Sequence, residues 1–367
     1  MKKRIQVILT ALLILSTFQV KAIPLLYSFW EYDEYLNEFP EQKQLVEELR
    51  AIVMAPPVPL SEPQKRPIRI SVIHPGEQAS DYWRRSVVAL ERRLQYLGIK
   101  YELNRVSTRL HLDIREQSSS LLAAIKNKAD YLIFTLNTSK HRKFIEHVLQ
   151  NPDTKLILQN ITTPIKAWHG HQPFMYVGFD HLLGTRALAQ YYQERFPDGA
   201  KYALLYYSQG YLSAARGDTF IEAMRQKEKY TLQTAYYTKV DYSSSYRSTV
   251  SAIKEYPDLD FIYASSTDIS LGAKDALLEN NAHHIEVNGW GGGSAELEAL
   301  EKGEMDVTVM RMNDDTAIAI AEAIKMDLQG KKTATVFSGD FEIVTKEITK
   351  ENLERLKARA FRYSDMK

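Results

Sequence analysis

From Ile68 onward, apolar positions come in short runs, each followed by a loop and a longer stretch of helical period. Ile68-Arg69-Ile70-Ser71-Val72-Ile73 is the first β-branched run, and Tyr82 to Leu97 after it carries amphipathic helical spacing. The rhythm returns at Tyr131-Leu132-Ile133-Phe134 and Lys155-Leu156-Ile157-Leu158. Further runs lie at Tyr202 to Tyr206, Phe261 to Ala264, Ile285 to Val287 and Val307 to Met310. Strands separated by helices of this length predict an α/β fold of doubly wound parallel sheets, with helices on both faces. No self-similarity at a period of roughly 20 to 50 residues stands out, which argues against solenoids and propellers.

The first 65 residues follow another pattern. Lys2, Lys3 and Arg4 precede a mostly apolar run from Ile5 to Phe18, and Val20-Lys21-Ala22 supplies small residues for cleavage. That is the layout of a secretory signal over residues 1–22, too short to span a bilayer, which needs about 20 apolar residues. Residues 23–65 read as an N-terminal arm. Its aromatics (Tyr27, Phe29, Trp30, Tyr32) are held by packing or else present a signalling surface, and Pro40 to Ala51 has a helical pattern. Ala55-Pro56-Pro57-Val58-Pro59-Leu60 must run extended, because proline blocks helix and biases its predecessor away from it.

Charge changes the picture in one way. Removing a leader with four cations (Lys2, Lys3, Arg4, Lys21) turns the formal charge of +1 into −3. A chain without basic bias is not built for nucleic acid or for insertion into anionic membranes. There are no cysteines, so thiol nucleophiles, thiolate metal sites and disulfides are excluded. Two domains are expected at this length, in the periplasm if the leader is cut.

In open parallel sheets, ligand contacts gather at the carboxyl ends of the strands. Those positions here hold His74 to Trp83 after the first run, Gln159 to Pro164 after Leu158, and Ser208 to Gly217, with Arg216, after Tyr206. Ser265-Ser266-Thr267-Asp268 follows Ala264, Asn288-Gly289-Trp290 follows Val287, and Arg311 follows Val309-Met310. Amides, hydroxyls, two arginines and two tryptophans suit a small, hydroxyl-rich, anionic molecule. Guanidinium forks bind oxyanions in pairs of hydrogen bonds, and indoles stack on rings.

Other motifs carry less. Gly291-Gly292-Gly293 lacks the Lys-Ser/Thr of a P-loop and reads as a strand-to-helix turn or a hinge crossing, with Ser294 as N-cap of the next helix. Ser294 is not flanked as a hydrolase nucleophile. His169-Gly170-His171 has no acidic partner nearby, so no metal is expected. Arg84-Arg85 and Arg92-Arg93 read as a solvated helix face. No catalytic constellation emerges, and the chain is expected not to be an enzyme.

Longer runs carry a resemblance. Phe-Pro-Glu-Gln (39–42), Pro-Val-Pro-Leu-Ser (57–61), Asp-Tyr-Trp (81–83) and Leu-Ile-Leu-Gln-Asn-Ile-Thr-Thr-Pro (156–164) open it. Arg-Gly-Asp-Thr-Phe-Ile (216–221), Asn-Gly-Trp-Gly-Gly-Gly-Ser-Ala-Glu-Leu (288–297), Val-Met-Arg-Met-Asn-Asp-Asp-Thr (309–316) and Ser-Gly-Asp-Phe-Glu-Ile-Val-Thr-Lys (338–346) continue it. Over essentially the whole mature chain the sequence resembles the LuxP-type receptors for the quorum-sensing signal autoinducer-2, which are ribose-binding-type periplasmic binding proteins. The resemblance implies a furanosyl borate diester as ligand, with boron entering as part of the ligand and no separate cofactor. It implies that Arg216 and Arg311 neutralise the borate, that Gln78, Ser80, Asn160 and Thr267 bond hydroxyls and ring oxygens, and that Trp83 and Trp290 complete the wall. It also implies a membrane partner, the periplasmic part of a LuxQ-type sensor kinase/phosphatase.

The same resemblance implies two lobes joined by three crossings, expected near 177–180, 289–293 and 338–341. The lobes would be 66–178 with 291–338, and 179–290 with 339–367. The rival reading is a periplasmic sugar-binding component of an ABC uptake transporter, which would share the fold and differ in pocket charge and surface.

Overall fold

The computed structural model describes residues 25–76, 78–108, 114–135 and 141–366, so the expected leader lies outside the described residues. Twelve strands form two six-stranded sheets. The first lobe contains β1 (Ile68–Pro75), β2 (Tyr101–Thr108), β3 (Tyr131–Phe134), β4 (Lys155–Gln159), β5 (Met175–Phe179) and, from far down the chain, β11 (Val336–Gly339). The second contains β6 (Ala200–Tyr206), β7 (Tyr230–Tyr237), β8 (Phe261–Ala264), β9 (Glu286–Gly291), β10 (Val307–Arg311) and β12 (Phe341–Thr345). Their orders are β11-β5-β4-β3-β1-β2 and β12-β10-β9-β8-β6-β7, parallel throughout except that β12 runs antiparallel to β10. Each sheet reverses its winding beside its first strand, between β1 and β3 and between β6 and β8. Open α/β sheets bind ligands outside the carboxyl ends of strands at such a switch point.

The expected division needs one correction. β10 pairs with β9 in the second sheet, and the helix Ser294–Glu301 packs there too, its Leu297 and Leu300 clustering with Val344 and Leu353. The second crossing therefore falls after Arg311, not at Gly291-Gly292-Gly293. The three glycines form the strand-to-helix turn: Gly292 has φ +65°, and a Cβ on it would lie 2.3 Å from the Met310 Cα. Only glycine accepts both the left-handed backbone and that approach.

The helix Asn313–Leu328 returns the chain to the first lobe. It is buried on nearly every face, because it lies between the helices Pro40–Met54 and Tyr82–Tyr96 and the strands β5 and β11. That position explains its Ala/Ile run, since a helix enclosed on all sides needs no polar face. The arm lies across both lobes. Phe29 bridges to Ile165 in the first lobe and packs 5.0 Å from the Tyr211 ring in the second. Arg50 donates to Ser338 O at 3.0 Å and pairs with Asp340 at 2.5 Å, where β11 passes to β12.

Two of the four arginines expected on a solvated face are buried. Arg93 is 1% exposed and meets Glu322 at 2.5 Å and the Tyr363 hydroxyl at 2.6 Å. Arg85 reaches Asp81 and Asp365, with its guanidinium 3.9 Å from the Phe361 ring centre. The C-terminal residues 361–366 fold back over the helix Tyr82–Tyr96 and cover that face. Among the described residues, no helix is long and apolar enough to cross a membrane.

Candidate functional site

One cavity between the lobes is lined by all eight residues taken from the sequence: Gln78, Ser80, Trp83, Asn160, Arg216, Thr267, Trp290 and Arg311. Pro75, Tyr82, Tyr207, Leu212, Ser266 and Asp268 complete its lining. Gln78 and Ser80 lie in the loop after β1, and Asn160 follows β4. Trp83 stands in the first turn of the helix Tyr82–Tyr96, and the second lobe contributes Arg216, Thr267, Trp290 and Arg311, near the ends of β6, β8, β9 and β10.

Local backbone devices aim these groups. Asn160 has φ +64°, a region asparagine tolerates better than most residues. The turn leaves room only for glycine opposite: a Cβ on Gly178 would come within 2.7 Å of the Ile161 nitrogen. Arg216 lies in a π-helical turn, Ala214–Asp218. Such turns loosen backbone hydrogen bonding, and here the Arg216 carbonyl accepts from the Tyr263 hydroxyl at 3.0 Å.

The electrostatics are set by two guanidiniums. Arg216 is 3% exposed and Arg311 5%, yet among the described residues neither has a carboxylate at ion-pair distance. Arg216 donates to Ser265 O at 2.8 Å, and its guanidinium lies 3.7 Å from the Trp290 ring centre. Arg311 Nε donates to Gly291 O at 3.2 Å, and its guanidinium sits 4.2 Å from the Tyr82 ring centre. Burial, and then the charge of Arg311, push Arg216 down to about 9. Burial lowers Arg311 as well. Both remain cations near neutrality, held by carbonyls and aromatic faces that orient without neutralising them. An unpaired buried charge costs several kcal/mol, roughly, unless a counter-charge arrives. The buried carboxylate of Glu296 already accepts from Trp290 N (3.1 Å), Gly292 N (2.7 Å) and the Thr308 hydroxyl (2.5 Å).

Four side-chain polar atoms of the lining residues have no hydrogen-bond partner: Asn160 Oδ1, Arg216 Nε, Ser266 Oγ and Trp290 Nε1. They offer an acceptor, two N–H donors and a hydroxyl. Trp290 differs from its expected part. Arg216 covers one face of the indole, so the ring seats that cation instead of standing free as a stacking wall. Trp83 packs edge-on against Tyr82 at 4.7 Å and parallel to His74 at 6.0 Å.

Several contacts join the lobes around the cavity. The Asp268 carboxylate accepts Ala79 N–H at 2.7 Å, and burial raises its pKa. The Ser294 hydroxyl, expected to cap its own helix, donates to Asp81 at 2.8 Å instead; the N-cap position is Gly293. Ser266, Asp268, Tyr82 and Tyr207 are lining residues outside the eight. All four lie within reach of the strand-end rule, Tyr207 directly after β6. Among the described residues, no group of histidines and carboxylates could hold a metal ion.

The profile of the periplasmic binding protein domain matches residues 70–332. The ribose import binding proteins RbsB of Salmonella typhimurium and Escherichia coli are each 22% identical over 173 residues, 47% of this chain and 58% of theirs. The chain thus spans a little over half the length of those relatives. A solute-binding protein of Actinobacillus succinogenes with bound D-allose superposes with a TM-score of 0.67 at 18% identity, covering 78% of this chain and 99% of that one. One from Bacillus halodurans with bound myo-inositol gives 0.68 at 17% identity, covering 80% and 98%. A XylFII–LytSN complex chain gives 0.67 at 12% identity, covering 77% and 100%. The Actinobacillus succinogenes and Bacillus halodurans structures are named as solute-binding proteins of ABC transporters. With two doubly wound lobes closing on a polar cavity, and with that domain profile over most of its length, this chain belongs to the periplasmic binding protein family, ribose-binding-like in fold.

Proposed function

We propose that this chain is a periplasmic receptor for autoinducer-2, bound between the lobes as its furanosyl borate diester. The observation that carries this reading is the pair of buried guanidiniums, Arg216 and Arg311, neither of which has a carboxylate at ion-pair distance among the described residues. A tetrahedral borate ester supplies one negative charge and several oxygens in a compact frame. A neutral sugar would leave both cations uncompensated. Ser266 and Asn160 would bond the ring oxygens and hydroxyls, and Ser80, Gln78 and Thr267 would complete the shell. Binding energy favours the closed form only as far as the ligand prefers it. Occupancy then passes to a sensor kinase/phosphatase of LuxQ type, which would recognise the closed shape.

The test is titration of purified protein with autoinducer-2 in borate-containing and borate-free buffer, followed by boron-11 NMR of the loaded protein. Borate-dependent affinity with a bound tetrahedral boron signal is expected. Equal affinity without borate, or only free borate in the spectrum, overturns the assignment.

A second reading has its own support. Relatives named for ribose import, and a neighbour with bound D-allose, fit a sugar-uptake component. Tight binding of D-ribose that borate leaves unchanged would favour it, as would transport subunits instead of a sensor kinase recovered as the membrane partner.

A further inference from the structure

His181 begins the helix His181–Arg195 immediately after the chain leaves β5, and it is 0% exposed. Its Nε2 lies 3.0 Å from Asn160 O, in the first lobe, and its Nδ1 lies 3.3 Å from Arg216 Nη2, in the second. Chemistry fixes both roles. A guanidinium nitrogen only donates and a carbonyl oxygen only accepts. Nδ1 must therefore accept from Arg216, and Nε2–H must donate to Asn160. The neutral Nε2–H tautomer alone satisfies both contacts. Burial, and then the Arg216 charge, hold the ring well below its ordinary pKa, in agreement with that geometry.

We infer that His181 is a positioning residue that orients Arg216 against the Asn160 turn while leaving its charge uncompensated, and so sets a preference for anionic over neutral ligands. This rests on the anionic-ligand reading above. Arg216 needs an acceptor on Nη2 to keep Nε aimed into the cavity. A carboxylate there would orient it equally well but would cancel the attraction for an anion. An imidazole supplies the lone pair without the charge. The same ring clamps the carbonyl of the left-handed Asn160 turn, so the two lobes' ligand contacts share one support.

The experiment compares wild type with His181→Gln and His181→Glu by titration, using autoinducer-2 in borate buffer and D-ribose as probes. Thermal unfolding of each variant checks its fold. Glutamine retains a neutral acceptor and a donor, so affinity for the borate diester should stay within about 3-fold. Glutamate should weaken the borate diester by roughly 10-fold or more while changing D-ribose by less than about 3-fold. Equal losses for both probes in both variants would reduce His181 to a packing residue and overturn the inference. The nitrogen-15 NMR spectrum of the wild-type ring gives an independent readout in the ligand-loaded protein. It should show a protonated Nε2 and a bare Nδ1 at neutral pH and at the ordinary histidine value of about 6.5; an imidazolium or the other tautomer overturns the assignment. A wild type with no preference for the borate diester would sink the functional reading, while the ring spectrum would still decide the geometry.

Discussion

The Ser294 hydroxyl donates to the Asp81 carboxylate at 2.8 Å, across the mouth of the cleft. Arg85 holds both, with Nε 2.5 Å from Asp81 and Nη2 3.0 Å from the Ser294 oxygen, and its Nη1 meets Asp365 at 2.5 Å. Asp81 and Arg85 belong to the first lobe and Ser294 to the second, so this clasp joins the lobes in the form described and is expected to break when they part. Each such hydrogen bond contributes about 1 kcal/mol to closure. Ser294→Ala should weaken ligand binding roughly 5-fold without touching the cavity. Titration reads the affinity, and small-angle scattering should show the open form gaining population. An unchanged affinity would mean the clasp forms equally well in the open protein.

Arg311 carries a second prediction. Its replacement by Ala removes a buried donor fork that stacks on Tyr82. Charge-assisted hydrogen bonds contribute about 1.5–3 kcal/mol, so affinity for autoinducer-2 with borate should fall roughly 10- to 100-fold. Arg311→Lys should restore only part of it, because an ammonium lacks the planar fork. Wild-type affinity in Arg311→Ala would remove this residue from the site.

Much of this architecture is legible in the sequence because central parallel strands are buried on both faces. β3 and β8 are four-residue runs with every side chain buried, and they read as strands at once. β2 and β7 escape because they are edge strands. Tyr-Glu-Leu-Asn-Arg-Val-Ser-Thr alternates exposed and half-buried positions and shows no apolar run. The strand-end rule reaches the runs that hold the eight site residues wherever a strand is recognised, and the family resemblance singles the eight out of those runs. His181 is lost for the complementary reason: β5 reads as a crossing, so the residue after it is not examined as a strand end. The burial of Arg85 and Arg93 lies beyond any local pattern, since their cover is a tail some 270 residues away in sequence.

The Arg93–Glu322 pair makes a stability prediction distinct from binding. Both side chains are essentially inaccessible, and Lys325 adds a second contact to Glu322 at 2.5 Å. Removing one partner of a buried pair strands the other charge, at a cost of about 3–5 kcal/mol. Glu322→Ala should therefore lower the urea midpoint strongly. The double replacement Arg93→Met with Glu322→Leu should recover only part of the loss, because the buried guanidinium is gone while Lys325 still loses its carboxylate. Since neither residue lines the cavity, folded Glu322→Ala should bind ligand as the wild type does. A double variant as unstable as the single would show that the pair's geometry matters beyond its charge.

Buried histidines fix the pH response. His141 is pushed down from 6.5 to about 4 by burial, and His181 lies well below 6.5 through burial and the Arg216 charge. In both cases the folded pKa is lower than the unfolded one, so below about pH 6.5 the unfolded chain binds protons that the folded chain refuses. Stability is then fully present above about 6.5 and falls as pH drops toward about 4, by up to roughly 1.4 kcal/mol per pH unit for each histidine. Burial raises the carboxylates of Asp180, Asp268, Glu286, Asp314 and Asp315, whose titration acts in the opposite sense, so the histidine part is read by difference. Urea unfolding of the wild type and of His141→Phe from about pH 7 to 5 should show the midpoint of the variant falling less than that of the wild type. Equal pH slopes in the two proteins would mean that the His141 ring reaches water and takes up a proton in the folded protein.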